Sequence, residues 1–405
     1  MNPIRLEEYD SRLVEDLSQE DLGFLLRRHN SAVSVALDPV WGLPRIATTS
    51  WIGVIKLPSG RDLRISTKVP VASVFQMLAT VGEWPFRPEE IVGYAPESTI
   101  LFVVARFFRD QLRRLDDGGL YRAYQDRCEN LTVLRGRIDF REDLRRNIME
   151  RQRTACTFAD FTRDIPENQV LRQAAHLLSE CGLVGELASD FRALDYWWSD
   201  IQLTDHDPNV VTTFNYHRLN DHYRAVHQLA GVLLRWLSPG GAEGDRRFPA
   251  FLVNMNWLYE EFVRAAVANS LRGTARVRKP GPLALDEAGR GRIQPDLLFE
   301  DDEAPFLVGD CKYKRVGADI QSNADLYQIL AYCSSLGLSR GALVYPRHLV
   351  DVDDELVVRN SPIRLRRVTI DLGVPLGELA AECQRVSREM LRFAGLPRVR
   401  GEQVA

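Results

Sequence analysis

The stretch PDLLFEDDEAPFLVGDCKYKR, residues 295–315, places charged groups at the ends of what read as two core strands. Asp296 opens the apolar run Leu297, Leu298, Phe299, and Asp310 and Lys312 close the run Phe306, Leu307, Val308. If 292–299 and 306–313 form a hairpin closed at EDDEAP, Asp296 falls opposite Gly309 or Asp310. Lys312, two residues beyond Asp310, then points to the same face. Two carboxylates about 4 Å apart repel by roughly 1 kcal/mol in water and about 4 kcal/mol at the effective dielectric of a protein surface, so something must offset the repulsion. Carboxylate oxygens are the ligands that Mg²⁺ prefers, together with water and phosphate oxygens. A divalent ion there would bind a phosphate and lower the pKa of an attacking water, leaving Lys312 to orient that water or stabilise developing charge. Taken alone, Asp-x-Lys is read more plainly as a salt bridge at a sheet rim.

Working outward, NMNWLYEEFVRAAVANSL is an amphipathic helix. A strand, a Gly-rich turn and a strand follow in ARVRKPGPLALDEAGRGRIQPDLLF, then the strand FLVGDCKY, the helix NADLYQILAYCSSLG and the strand GALVYP. The α-β-β-β-α-β order, with a helix crossing between two apolar strands, predicts an α/β domain on a mixed sheet over 246–405. Gly, Pro and charges in LSPGGAEGDRRFP, 237–249, mark its start near 245. Upstream, SAVSVALDP and WIGVIKLPSGRDLRIS predict a β-rich module over 1–85, the second of them a hairpin around Pro58, Ser59 and Gly60. Helical periodicity in VASVFQMLATVG, ILFVVARFFRDQLRRL and ENQVLRQAAHLLSECG predicts a mainly helical region over 86–245, with NLTVLRGRIDF as a strand pair or β-excursion.

The 405 residues are 45% hydrophobic and 27% charged, enough for two or three domains with sizeable cores. No apolar run is long enough to span a bilayer, and MNPIRLEEYDSR lacks the apolar segment of a signal peptide, so a cytoplasmic protein with no membrane partner is expected. The six cysteines never form CxxC and read as reduced thiols. A net charge of -4 confines any nucleic-acid surface to a local patch. There is no GxxxxGK[ST], GxSxG or HExxH, and His217, His222 and His227, five apart, spread around a helix rather than gathering on one face.

Pro295-Asp296 followed by Asp310-Cys311-Lys312 at the end of an apolar strand resembles the PD-(D/E)xK nuclease signature. Gln328 and Tyr332, four apart on the following helix, resemble the RecB-type branch, in which the polar pair helps position the DNA backbone or the active-site lysine. With WIGVIKLPSGRDLRIST, LTVLRGRIDFREDL, FTRDIPENQVLRQA, NWLYEEFV and ADLYQILAYC in this order, the chain resembles the McrC family over about 51–346. Cys311 departs from the alanine usual there, and its side chain should point away from the metal face.

The resemblance implies a restriction-endonuclease-like C-terminal domain with Asp296, Asp310, Lys312 and Gln328 as catalytic residues. It also implies Glu260, Asp296 and Asp310 as ligands of Mg²⁺, with Mn²⁺ able to substitute. Glu260 is taken in preference to Glu261 because Tyr259-Glu260 stands where the family has an aromatic-Glu pair. The implied partners are DNA and an McrB-like AAA+ GTPase hexamer. This chain would cut modified DNA in that assembly and stimulate GTP hydrolysis through its N-terminal half, for which RGRIDFREDLRRNIMERQR, 135–153, is a docking candidate. A stand-alone RecB-type nuclease and a non-catalytic adaptor that activates the motor remain as alternative readings.

Overall fold

A computed structural model describes residues 2–82, 84, 99–149, 152–237, 250–301, 304–314 and 323–396. The expected boundaries at 85 and 245, and residues 150 and 151 of the arginine-rich stretch, lie outside the described residues. The chain divides into two units, Met1–Val104 with Asp245–Ala405, and Ala105–Gly244. The expected separation of 1–85 from 246–405 is therefore not found. Instead, the strand Ala250–Asn254 pairs antiparallel with the strand Trp51–Lys56, joining the N-terminal segment to the start of the second half of the chain in one four-stranded sheet. Gly53 makes that pairing possible: its φ is 136°, and a Cβ would meet the Phe251 carbonyl oxygen at 1.9 Å.

The first unit also holds a six-stranded mixed sheet, ordered Arg276–Arg278, Leu297–Glu300, Pro305–Cys311, Arg340–Pro346, Arg364–Ile370, Asp354–Val357. Strand 297–300 runs antiparallel to 305–311, which runs parallel to 340–346 with the helix Asn323–Leu336 as the crossover. The mixed α/β sheet expected from the sequence is present. Helix 323–336 buries Asp325, Ile329, Tyr332 and Cys333, one stripe at helical spacing, and Gly337 at φ 67° follows its last residue. That stripe packs so closely on strand 340–346 that a Cβ at Gly341 would meet Cys333 Sγ at 2.7 Å and Ile329 Cγ1 at 2.8 Å. Each fully buried aliphatic side chain of this core, such as Val308, Leu343 or Ile329, contributes about 1.5–3 kcal/mol. The helix Met255–Ser270 starts at Asn254, whose side chain accepts the N–H groups of Asn256 and Trp257. It buries Leu258, Tyr259, Phe262, Val263 and Ala266, which leaves Glu260 and Glu261 at the margin of the apolar face.

The second unit pairs the long strands Ala123–Leu131 and Thr154–Thr162 over nine residues, with Arg137–Ile138 on the other side of 154–162. Helices Pro166–Glu180, Leu187–Trp197 and Arg224–Leu237 supply its core. The sequence indicates only a β-excursion at 130–140, because no residue of 123–131 is fully buried and its apolar alternation is weak. No helix among the described residues is long and apolar enough to cross a membrane.

Candidate active site

Leu297 pairs with Gly309, so Asp296, one residue outside the ladder, falls level with Asp310. Both are buried, at 8% and 2% exposure. One oxygen of Asp296 accepts the Cys311 N–H at 2.9 Å, which fixes its carboxyl beside the strand that carries Asp310. The Asp310 pKa is pushed up from the ordinary carboxylate range, first by burial and then by the Asp296 charge, with Lys312 acting against both. Repulsion between two facing carboxyls costs more in a dry site, so positive charge beside them is favoured.

Lys312 stands just past the strand end, its N–H donating to the Val344 carbonyl at 2.9 Å. Its ammonium lies 2.5 Å from Asp310 Oδ2 and donates to Gln328 Oε1 at 2.8 Å. The Gln328 amide donates to the Tyr332 hydroxyl at 2.6 Å, and that hydroxyl donates to the Gln294 carbonyl at 3.3 Å. A chain of donors thus runs from the lysine back to the backbone beside Asp296. Burial opposes the Lys312 charge, but Asp310, Asp325 and Asp296 together outweigh it and raise the pKa, so the ammonium is held charged. Behind it, the buried Asp325 accepts from Lys314 at 2.6 Å and from the Tyr345 hydroxyl at 3.0 Å, tying the first turn of helix 323–336 to the sheet.

Glu260 approaches this centre from helix 255–270. Its pKa is raised, mainly by burial and then by Asp296. A lysine intervenes, however. The Lys279 ammonium lies 3.4 Å from Glu260 Oε2, 3.5 Å from Asp296 Oδ1 and 3.9 Å from Glu261 Oε1. Among the described residues, no three His, Cys, Asp or Glu side chains are gathered closely enough to enclose a metal ion. The expected three-carboxylate set is therefore two facing carboxyls and a glutamate reached through Lys279. The pair still fits a hard divalent ion, since its donors are all oxygen, both residues are buried, and burial together with the Asp296 charge has raised the Asp310 pKa.

Sequence reasoning missed Lys279 altogether and took Glu260 in preference to Glu261; the lysine follows a three-residue edge strand with no motif to mark it. Cys311, 2% exposed, has its thiol pKa raised by burial and is set by strand alternation on the face away from Asp310 and Lys312. His227 is a satisfied core histidine between the Tyr216 hydroxyl and the Glu167 carbonyl, its pKa pushed down to about 4 by burial.

Comparison with known proteins adds family to geometry. The family model described as McrBC 5-methylcytosine restriction system component matches residues 46–346. Type IV methyl-directed restriction enzyme EcoKMcrBC of Escherichia coli (strain K12) is 22% identical over 329 residues, which cover 75% of this chain and 93% of that protein. Among solved structures, a chain of the refined half-complex from the tetradecameric assembly of Thermococcus gammatolerans McrB AAA+ hexamers with bound McrC superposes with a TM-score of 0.70 at 15% identity, covering 95% of this chain and 99% of that one.

Proposed function

The chain belongs to the McrBC 5-methylcytosine restriction system component family, and from that premise we propose that it is the DNA-cutting subunit of a GTP-driven, modification-dependent restriction complex. The observation that carries the reading is the buried pair Asp296 and Asp310 with Lys312 2.5 Å from Asp310 and Gln328 behind it, the constellation expected of a PD-(D/E)xK nuclease.

In this reading Asp296 and Asp310 hold Mg²⁺ or Mn²⁺, with Glu260 completing the set once Lys279 gives way. The ion would supply Lewis-acid polarisation of the scissile phosphate and a lowered pKa for the attacking water. The protein's own groups do the rest. Lys312, kept charged by Asp310, presents donors to the oxygen on which negative charge develops. Gln328 and Tyr332 restrict the lysine's rotamers, so little reorganisation remains at the moment of reaction. The low exposure of both carboxyls excludes bulk water and strengthens each of these interactions.

The AAA+ partner would be met by residues 105–244, where Tyr124, Phe161, Phe140 and Leu144 are exposed apolar side chains and Arg141, Arg145 and Arg146 lie on the short helix Phe140–Arg146. Large exposed aromatics are the usual anchors of protein interfaces. The test is cleavage of methylated and unmethylated DNA with and without the partner and GTP. Cutting that needs methylated DNA, partner and GTP, and that disappears in Asp310→Ala, supports the proposal. Cutting that survives in Asp310→Ala moves the site elsewhere.

A further inference from the structure

We propose that Glu8 and Tyr9, near the start of the chain, are positioning residues for the nuclease site: they clamp the backbone directly after Lys312 and so hold its ammonium against Asp310 and Gln328. The inference rests on the nuclease reading above. Glu8 follows the strand Ile4–Glu7 and is fully buried. Its Oε1 accepts the Tyr313 hydroxyl at 2.8 Å and the Lys68 N–H at 2.9 Å. The Tyr9 hydroxyl donates to the Tyr313 carbonyl at 2.9 Å and lies 3.2 Å from Asn256 Oδ1. Residue 313 is thus gripped twice, at its carbonyl and at the tip of its side chain, by two consecutive residues more than three hundred positions away in the sequence.

The grip is fixed at both ends. On the N-terminal side, the Glu8 N–H donates to the Ser66 carbonyl and the Tyr9 N–H to the Thr49 carbonyl, so the corner is set by backbone bonds independent of its side chains. Tyr9 has a φ of 54°, a left-handed conformation that non-glycine residues adopt at a cost and keep where surrounding structure imposes it. On the other side, the Tyr313 ring packs against Tyr259 and His348 at 5.6 and 5.9 Å between ring centres. Asn256 belongs to the first turn of helix 255–270, which carries Glu260, so the same hydroxyl touches the start of a second active-site element. Regular pairing of strand 305–311 stops at Cys311, and the bond from Lys312 N–H to Val344 is its last extension. Beyond that point, among the described residues, the Glu8 and Tyr9 contacts hold residue 313 together with the Tyr259 and His348 rings, and the lysine stem starts one residue before it. Displacing a catalytic group by 1 Å can cost on the order of a hundredfold in rate.

The test uses full-length Tyr9→Phe, Glu8→Ala, Glu8→Gln and Asp310→Ala chains, each assayed with the AAA+ partner and GTP over a range of methylated DNA concentrations, with thermal melting alongside. Tyr9→Phe and Glu8→Ala are expected to lower kcat roughly tenfold while KM for DNA and stimulated GTP turnover keep their parental values. Glu8→Gln, whose amide oxygen still accepts the Tyr313 hydroxyl, should stay within about twofold of the parent. Unchanged kcat in folded Tyr9→Phe and Glu8→Ala would overturn the clamp, as would a Glu8→Gln chain as impaired as Glu8→Ala. Asp310→Ala should be inactive. If it cuts as the parent does, the nuclease reading falls and takes the clamp with it, an outcome distinguishable from failure at Glu8 and Tyr9 alone.

Discussion

Strand Pro305–Cys311 buries the carboxyl of Asp310 at 2% exposure, whereas strand Ala123–Leu131 leaves the ring of Tyr124 at 72% exposure. Each runs against ordinary burial preference, and in opposite directions. At and beside the six-stranded sheet, three buried carboxyls are matched one by one: Asp310 by Lys312, Asp296 by Lys279 and the Cys311 N–H, Asp325 by Lys314 and Tyr345. In the sheet of residues 105–244, charges are spread over the surface and the exceptions are apolar. Tyr124 and Phe161 sit opposite each other in the ladder, with rings 5.1 Å apart and both exposed. An enclosed charge makes sense as chemistry, because a dry site strengthens electrostatics. An exposed aromatic makes sense as recognition, because its burial is left for a partner.

The sharpest break of this contrast is to remove the enclosed charges. Asp296→Ala, Asp310→Ala and Lys312→Ala should each lower DNA cleavage by about a thousandfold or more, as loss of an electrostatic or general-catalytic group does. Partner binding and stimulated GTP turnover should remain, since the surface that would meet the motor is untouched. Measuring cleavage and GTP turnover on the same preparations decides it. If both activities fall together in a folded variant, these residues do not separate chemistry from recognition.

The converse experiment strips the exposed aromatics. The double variant Tyr124→Ser, Phe161→Ser should weaken partner binding by about 2 kcal/mol, some thirtyfold in affinity, the scale of an interface hot spot. Thermal stability should hardly change, because both rings are exposed. Titration of the labelled partner gives the affinity directly. Unaltered binding would leave these rings without a role in recognition.

The two regions were also unequally legible. That Asp296, Asp310, Lys312 and Gln328 come together could be read because each lies in or next to a regular element: alternation carried one step past a strand brings Lys312 to the face of Asp310, and Gln328 lies four residues from Tyr332 on a helix. The order of strands and crossover helix followed from apolar runs of ordinary length. Lys279 was invisible, since it reaches the carboxylates from an edge strand of three residues. The Glu8–Tyr313 contact was equally hidden, because nothing local in IRLEEYD signals a partner at the far end of the chain. The separate β-rich module failed for a related reason: pairing of 51–56 with 250–254 depends on Gly53, and a single glycine in a strand does not name its neighbour. Strand 123–131 was missed because it lacks the buried face that periodicity detects.

Lys279 offers a finer probe of the enclosed side. Its ammonium lies 3.4 and 3.5 Å from Glu260 and Asp296, so a divalent ion must compete with it for the same oxygens. A unit charge at about 4 Å is worth between roughly 1 and 4 kcal/mol over the range from water to a protein surface. The side chain is 31% exposed, which favours the lower end. Lys279→Met should therefore tighten Mn²⁺ binding about tenfold, read by calorimetry or by the loss of the free-ion resonance signal. Equal or weaker binding would show that the lysine does not stand in the ion's way.

The smallest effect expected is on stability, and its sign separates the two regions. Burial and the Asp296 charge raise the Asp310 pKa, and burial raises those of Glu260 and Glu8 as well. A carboxyl whose pKa is higher folded than unfolded binds more protons in the folded state. Its contribution to stability is complete below the unfolded value and is lost as pH rises through the folded one. Relative to a chain without the Asp310 carboxyl, the metal-free protein should accordingly lose melting temperature as pH rises from about 5 towards 8, whatever the buried histidines add to both. Mg²⁺ should reverse that fall if the proposed site is right, since it would bind the ionised pair in the folded state and stabilise it by mass action. Asp310→Asn carries a permanently neutral side chain of the same shape, so its melting temperature should escape that loss, stay at or above the parental value near pH 8, and fail to respond to Mg²⁺. Substitutions at Tyr124 and Phe161, which carry no titrating group in this range, should leave the parental pH and Mg²⁺ dependence in place. If Asp310→Asn melts lower than the parent at every pH, the carboxylate is a structural partner of Lys312, and the enclosed charge belongs to folding instead of chemistry.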